Sequence, residues 1–115
     1  MTRVDRIYAE IRSNLLGTLP NFGFALQVDE TSGPFGSRYV EFHCEERAVR
    51  FLWDGREGWF LLGYCIDLSV EPSPKWEDLY FKKVDIRHSD NEIYEDVERS
   101  LAIAIEDLKE KLEGV

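Results

Sequence analysis

The chain reads as an α+β protein: a mostly antiparallel, four- to five-stranded meander sheet with an N-terminal and a C-terminal helix packed on one face. Three observations lead there. Both ends carry apolar residues at helical spacing, the middle alternates apolar and polar residues with period two, and the breaks between segments are short and rich in Gly, Pro and Asp. Parallel strands need long crossover connections, so short breaks imply antiparallel neighbours. A length of 115 residues fits one domain over 1–115, and 13% aromatic content is enough to build a core.

The first helix is expected over residues 2–16. Val4, Ile7, Tyr8, Ile11 and Leu15 recur every three or four residues and share one stripe. Thr2 and Asp5 have the spacing of a capping box, Gly17 is a candidate stop, and Pro20 prevents the helix from resuming. Phe22, Phe24, Leu26 and Val28 then alternate with Gly23, Ala25, Gln27 and Asp29, as in a strand with one apolar face. Two glycines and a proline mark 31–37 as a loop. Val40, Phe42 and Cys44 alternate with Tyr39, Glu41, His43 and Glu45 in a second strand.

Residues 48–53 and 59–66 read as a hairpin, because Asp54-Gly55 is a strong turn signal. The segment from Trp59 to Ile66 is apolar on both faces, which suits a central or covered strand and not a wet edge. Segment 76–87 is ambiguous. Trp76, Leu79, Tyr80 and Lys83 fit a helical turn, whereas Tyr80, Val84 and Ile86 fit a strand. The pattern favours a short turn followed by a fifth strand at about 80–87. The final helix opens on Ser89 and Glu92 as a capping box, and Ile93, Val97, Leu101, Ala104, Leu108 and Leu112 form its buried stripe. Glu95 with Arg99, and Asp107 with Lys111, are oriented as i, i+4 ion pairs.

Net charge excludes several functions. At −9, the chain lacks the basic face that phosphate backbones or anionic lipid surfaces require. Neither nucleic acid nor membrane is therefore expected as a partner. The N-terminal segment has no apolar signal-peptide core, and Cys44 and Cys65 are too few for a disulfide framework, so a cytoplasmic, reduced protein is expected. Residues 89–115 hold nine acidic and three basic side chains, so the last helix carries most of the imbalance. A basic protein partner suits that charge.

No motif assigns chemistry. There is no G-x-S-x-G elbow, and 33–37 lacks the lysine of a phosphate loop. His43 and Cys44 are adjacent, so on a strand they point to opposite faces and cannot share a metal. His88, Asp90 and Glu92 cluster at a helix start, where carboxylates are favoured anyway. His43 between Glu41 and Glu45 is the best acid–base candidate, yet nothing places it in a pocket. No cofactor, metal or catalytic residue is expected.

The candidate site is the sheet face turned away from the helices. It should carry Tyr39, Glu41, His43, Arg50 and Leu52, with either Trp59 and Leu61 or Phe60 and Leu62; the first pair is the working choice. Aromatic and aliphatic groups beside Arg and Glu resemble a protein-binding patch as much as a solvated sheet face. The expected function is a non-catalytic interaction domain that binds itself or a basic protein, of the immunity-type toxin-neutralising or secretion-chaperone-like kind. The alternative is a small-molecule-binding domain or small enzyme with a pocket near the 67–79 loop, lined by Trp76 and Tyr80.

Overall fold

A computed structural model describes residues 2–85 and 90–114. The chain runs α1 (Arg3–Thr18), a 3₁₀ turn (Leu19–Phe22), β1 (Ala25–Ser32), β2 (Ser37–Cys44), β3 (Arg47–Asp54), β4 (Trp59–Cys65), β5 (Trp76–Lys83) and α2 (Asn91–Glu113). The five strands form one sheet in chain order, every pair antiparallel. This is the α+β meander with flanking helices expected from the pattern, with five strands among the described residues.

In α1, the Thr2 hydroxyl accepts the Asp5 amide at 3.0 Å, and the Asp5 carboxylate accepts the Thr2 amide at 3.2 Å. That reciprocal cap holds the Asp5 carboxyl below its usual range, first through the Thr2 hydroxyl. The stripe Val4, Ile7, Tyr8, Ile11 and Leu15 is buried as expected. Gly17 does not end the helix, which continues to Thr18. Pro20 supplies the stop instead: it fits a 3₁₀ turn but cannot donate an amide to the α-helical ladder. Gly23, at φ 86°, then turns the chain into the sheet.

Strand β1 begins at Ala25, later than the alternation from Phe22 suggested. Phe22 belongs to the 3₁₀ turn, and Phe24 is buried just before the strand. A bulge between Leu26 and Val28 breaks the register, so Leu26 pairs with Phe42 and Val28 with Glu41. One extra residue moves every following side chain to the other face. Leu26 and Val28 therefore do not share the expected apolar face.

Strand β4 lies between β3 and β5, which explains its apolar content on both faces. The helical turn expected at Trp76 is replaced by strand from its first residue, paired with Cys65. An extra residue on β5, Leu79 between Asp78 (opposite Gly63) and Tyr80 (opposite Leu62), resets the alternation, and that reset produced the mixed helix-like spacing. Ile86 and Arg87, the end of the expected strand, lie outside the described residues. So do His88 of the acidic cluster and Ser89, the expected cap of α2. Asp90 fills the cap role, accepting the Ile93 amide at 3.1 Å. Arg99 pairs with Asp96 at 3.6 Å, and Lys111 reaches Glu77 on β5 at 3.2 Å, in place of the expected i, i+4 partners.

Both helices cover one sheet face. Their stripes pack on Val40, Phe42, Val49, Phe51, Trp53, Phe60 and Leu62 in one hydrophobic cluster, with no polar or charged side chain buried among the described residues. Phe51 sits at its centre, with ring centroids 5.1 Å from Tyr8 and 6.1 Å from Phe60. Such ring pairs add about 0.5–1.5 kcal/mol beyond area burial.

Candidate functional site

Cross-strand partners stand on the same face of a sheet. Tyr39 pairs with Leu52, Leu52 with Leu61, and Leu61 with Phe81. Glu41 pairs with Arg50 and Arg50 with Gly63, while Asp54 pairs with Trp59 and Trp59 with Lys83. The seven expected residues (Tyr39, Glu41, His43, Arg50, Leu52, Trp59 and Leu61) thus share the face opposite the helices. Phe60 and Leu62, the other option, lie in the core.

Along β2, the face is polar and internally bonded. The Tyr39 hydroxyl donates to one Glu41 oxygen, and His43 Nε2 lies 2.5 Å from the other. Burial, reinforced by the Glu41 carboxylate, pushes the Tyr39 hydroxyl pKa well up, so it stays a neutral donor. Glu41 is engaged by two neighbours, and the three side chains form a fixed ridge.

Across the centre, Arg50 lies flat over the sheet. Its guanidinium carbon is 4.2 Å from the Trp76 ring centroid, a cation–π stack. Gly63 gives this stack room, since a Cβ there would meet Arg50 Nε at 3.2 Å and Cγ at 3.4 Å and push the arginine aside by a few tenths of an ångström. Beyond Arg50 the surface turns apolar. Leu61 is covered while its neighbour Phe81 is 53% exposed, and Phe81 lies 5.3 Å from the Trp59 ring. Phe81 and Trp76 belong to this surface although the sequence pattern did not assign them to it. Trp76 and Phe81 are five residues apart, and only the extra residue Leu79 on β5 brings them to one face, so period two within the segment separates them.

Trp76 and Tyr80 do not line one pocket. Trp76 is on the open face against Arg50, whereas Tyr80 pairs with Leu62 and packs on the core from the opposite face. The cavity beside the 67–79 segment is lined by Tyr64, Ile66, Lys75, Glu77 and Lys111, and holds about 250 Å³. Among the described residues, no three His, Cys, Asp or Glu side chains are placed to hold a metal ion.

Both sheet edges are poor templates for an added strand. Strand β1 carries Asp29 and Glu30 beside its bulge, and β5 carries Glu77, Asp78, Lys82 and Lys83 beside its own irregularity. Bulges and edge charges of this kind block strand addition. Among the described residues, no helix is long and apolar enough to cross a membrane. Comparison with known protein families, curated proteins and solved structures finds no match to this chain.

Proposed function

We propose that this chain is a non-catalytic protein-interaction domain that engages its partner through the open sheet face. The observation that carries this reading is the graded surface of β2–β5: a bonded polar ridge at Tyr39, Glu41 and His43, the Arg50–Trp76 stack, then an apolar centre at Leu52, Leu61, Trp59 and Phe81. Interfaces concentrate their energy in aromatic residues and arginine at such a centre, with polar groups around it. The blunted edges favour docking onto the face over strand addition, so a secretion-chaperone-like use, holding an extended segment along a sheet or groove, would run through the face and not an edge. The charge of −9 favours a basic protein partner over a second copy, since two copies repel. A neutraliser of a basic toxin, the immunity-type reading, meets both conditions.

The test uses Leu52→Lys and Phe81→Ser in affinity capture from the source lysate, with circular dichroism as the folding control. Phe81 is largely exposed, so its replacement leaves the core intact. A stoichiometric basic partner captured by the parent and lost with both folded variants supports the reading. Retention by both variants moves the interface elsewhere.

A further inference from the structure

On the open face, a groove of about 350 Å³ lies between the C-terminal half of β1, the start of β2 and the end of β3. That volume is at the small end of the range for binding pockets. The strand register explains its lining. Glu30 pairs with Tyr39 and Tyr39 with Leu52, so these three stand together, with Val28 and Asp54 two residues along their own strands. The bulge in β1 is what turns Val28 and Glu30 to this face.

Arg38 and Trp53 also border the groove, but they pair with each other on the opposite face. Trp53 belongs to the core, and Arg38 is ion-paired with Asp5 of α1 at 2.8 Å, so both side chains are directed away from the groove. The charged side chains that remain in the lining are Glu30 and Asp54. Glu30 is exposed, and its carboxylate has no partner among the described residues. Asp54 Oδ1 accepts the Arg56 and Glu57 amides at 3.0 and 2.9 Å, which fixes the carboxylate and leaves Oδ2 open. The arginine of this face, Arg50, is engaged elsewhere: it stacks on Trp76 and stands opposite Glu41.

Building on the open-face reading, we propose that this groove receives an arginine side chain of the basic partner. A guanidinium is a planar donor fork that pairs bidentately with a carboxylate, here Glu30, and its remaining N–H groups reach a second acceptor, here Asp54 Oδ2. The apolar stem of an arginine needs apolar walls, and Val28, Leu52 and the Tyr39 ring supply them. The Tyr39 hydroxyl is tied to Glu41, so that wall is preformed and little is lost in ordering it. Two carboxylates against one incoming cation leave the site negative, which suits a partner with further positive charge.

The test is titration of the isotopically labelled protein with the capped tripeptide acetyl-Gly-Arg-Gly-amide, followed by amide NMR shifts, with the citrulline tripeptide as the uncharged isostere. The arginine peptide is expected to shift the amides of Glu30, Tyr39, Leu52 and Asp54 saturably, with a dissociation constant of about 1–10 mM, and the citrulline peptide is not. Glu30→Gln is expected to weaken that constant about threefold, the size of an exposed ion pair, and it leaves the fold intact because the side chain is solvated. Phe81→Ser lies on β5, outside the groove, and leaves the peptide titration unchanged. Equal responses to the two peptides, or no saturable shift at these residues at tens of millimolar peptide, overturn the proposal. Where the groove fails in this way and Phe81→Ser still abolishes capture of the partner, the open-face reading stands without it.

Discussion

Alanine at Gly55 and alanine at Gly17 are expected to move stability in opposite directions. At Gly55 an added Cβ would lie 2.0 Å from the Phe35 carbonyl oxygen and 2.8 Å from its carbon. Real contacts of this kind are not made below 3.0 Å, so backbone must retreat by about 1 Å. The retreat lifts the β1–β2 loop off the β3–β4 turn and weakens the 2.9 Å bond from the Gly55 amide to the Ser37 hydroxyl. Overpacking costs about 1–3 kcal/mol, and loss of the bond adds about 1 kcal/mol. Gly17 is inside α1 with nothing within 4 Å of its virtual Cβ. There alanine restricts the unfolded chain and stabilises by about 0.5–1 kcal/mol. Urea unfolding followed by circular dichroism reads both changes. With a slope of about 1–3 kcal/mol per molar, the Gly55 variant should lose roughly 1 M or more in midpoint, and the Gly17 variant should gain a few tenths. An unchanged or raised midpoint for Gly55→Ala refutes the close approach of the two turns.

Two further outcomes are expected. Phe51→Ala removes the ring between Tyr8 and Phe60 at zero exposure and should cost about 3–5 kcal/mol, a large share of the stability of a small domain; the urea midpoint measures it. Burial first, and then the Asp29 carboxylate, push the Tyr8 hydroxyl pKa up to about 12 from an ordinary value near 10. Its stabilising contribution is complete below pH 10 and is lost as pH rises through 12, so Tyr8→Phe should flatten the alkaline fall in melting temperature. At neutral pH that variant should be no less stable, because the buried hydroxyl has no acceptor among the described residues.

The elements legible in the sequence were those whose signal is local. The stripe of α1, that of α2 apart from Ile93 (exposed, with Ile105 buried in addition), the Thr2–Asp5 cap and the two-faced apolar run of β4 each follow from a single segment. The misreadings share a different cause. Gly17 was a plausible stop, but tertiary burial of Leu15 and Leu19 holds the last turn in place. The irregularities of β1 and β5 arise from pairing with a neighbour, and no pattern within one strand displays them. Asp54-Gly55 did mark a hairpin, although the residue with positive φ is Gly58 and Gly55 is required for its lack of a side chain. The open face was legible because period two survives through β2, β3 and β4. The Arg50–Trp76 stack was not, because it joins β3 to β5 across β4.

The strands lie side by side in chain order, and that bears on how the molecule assembles. The first three hairpins close over short connections (33–36, 45–46 and 55–58) and the fourth over the longer 66–75, so the sheet can zip from any of the first three turns at little entropic cost. The long-distance closure falls to the helices, whose first turns meet where Arg3 reaches Asn91 and Glu98 across nearly the whole chain. Low sequence separation speeds folding, and the late, slow event should be that clasp of the two ends over a sheet already formed.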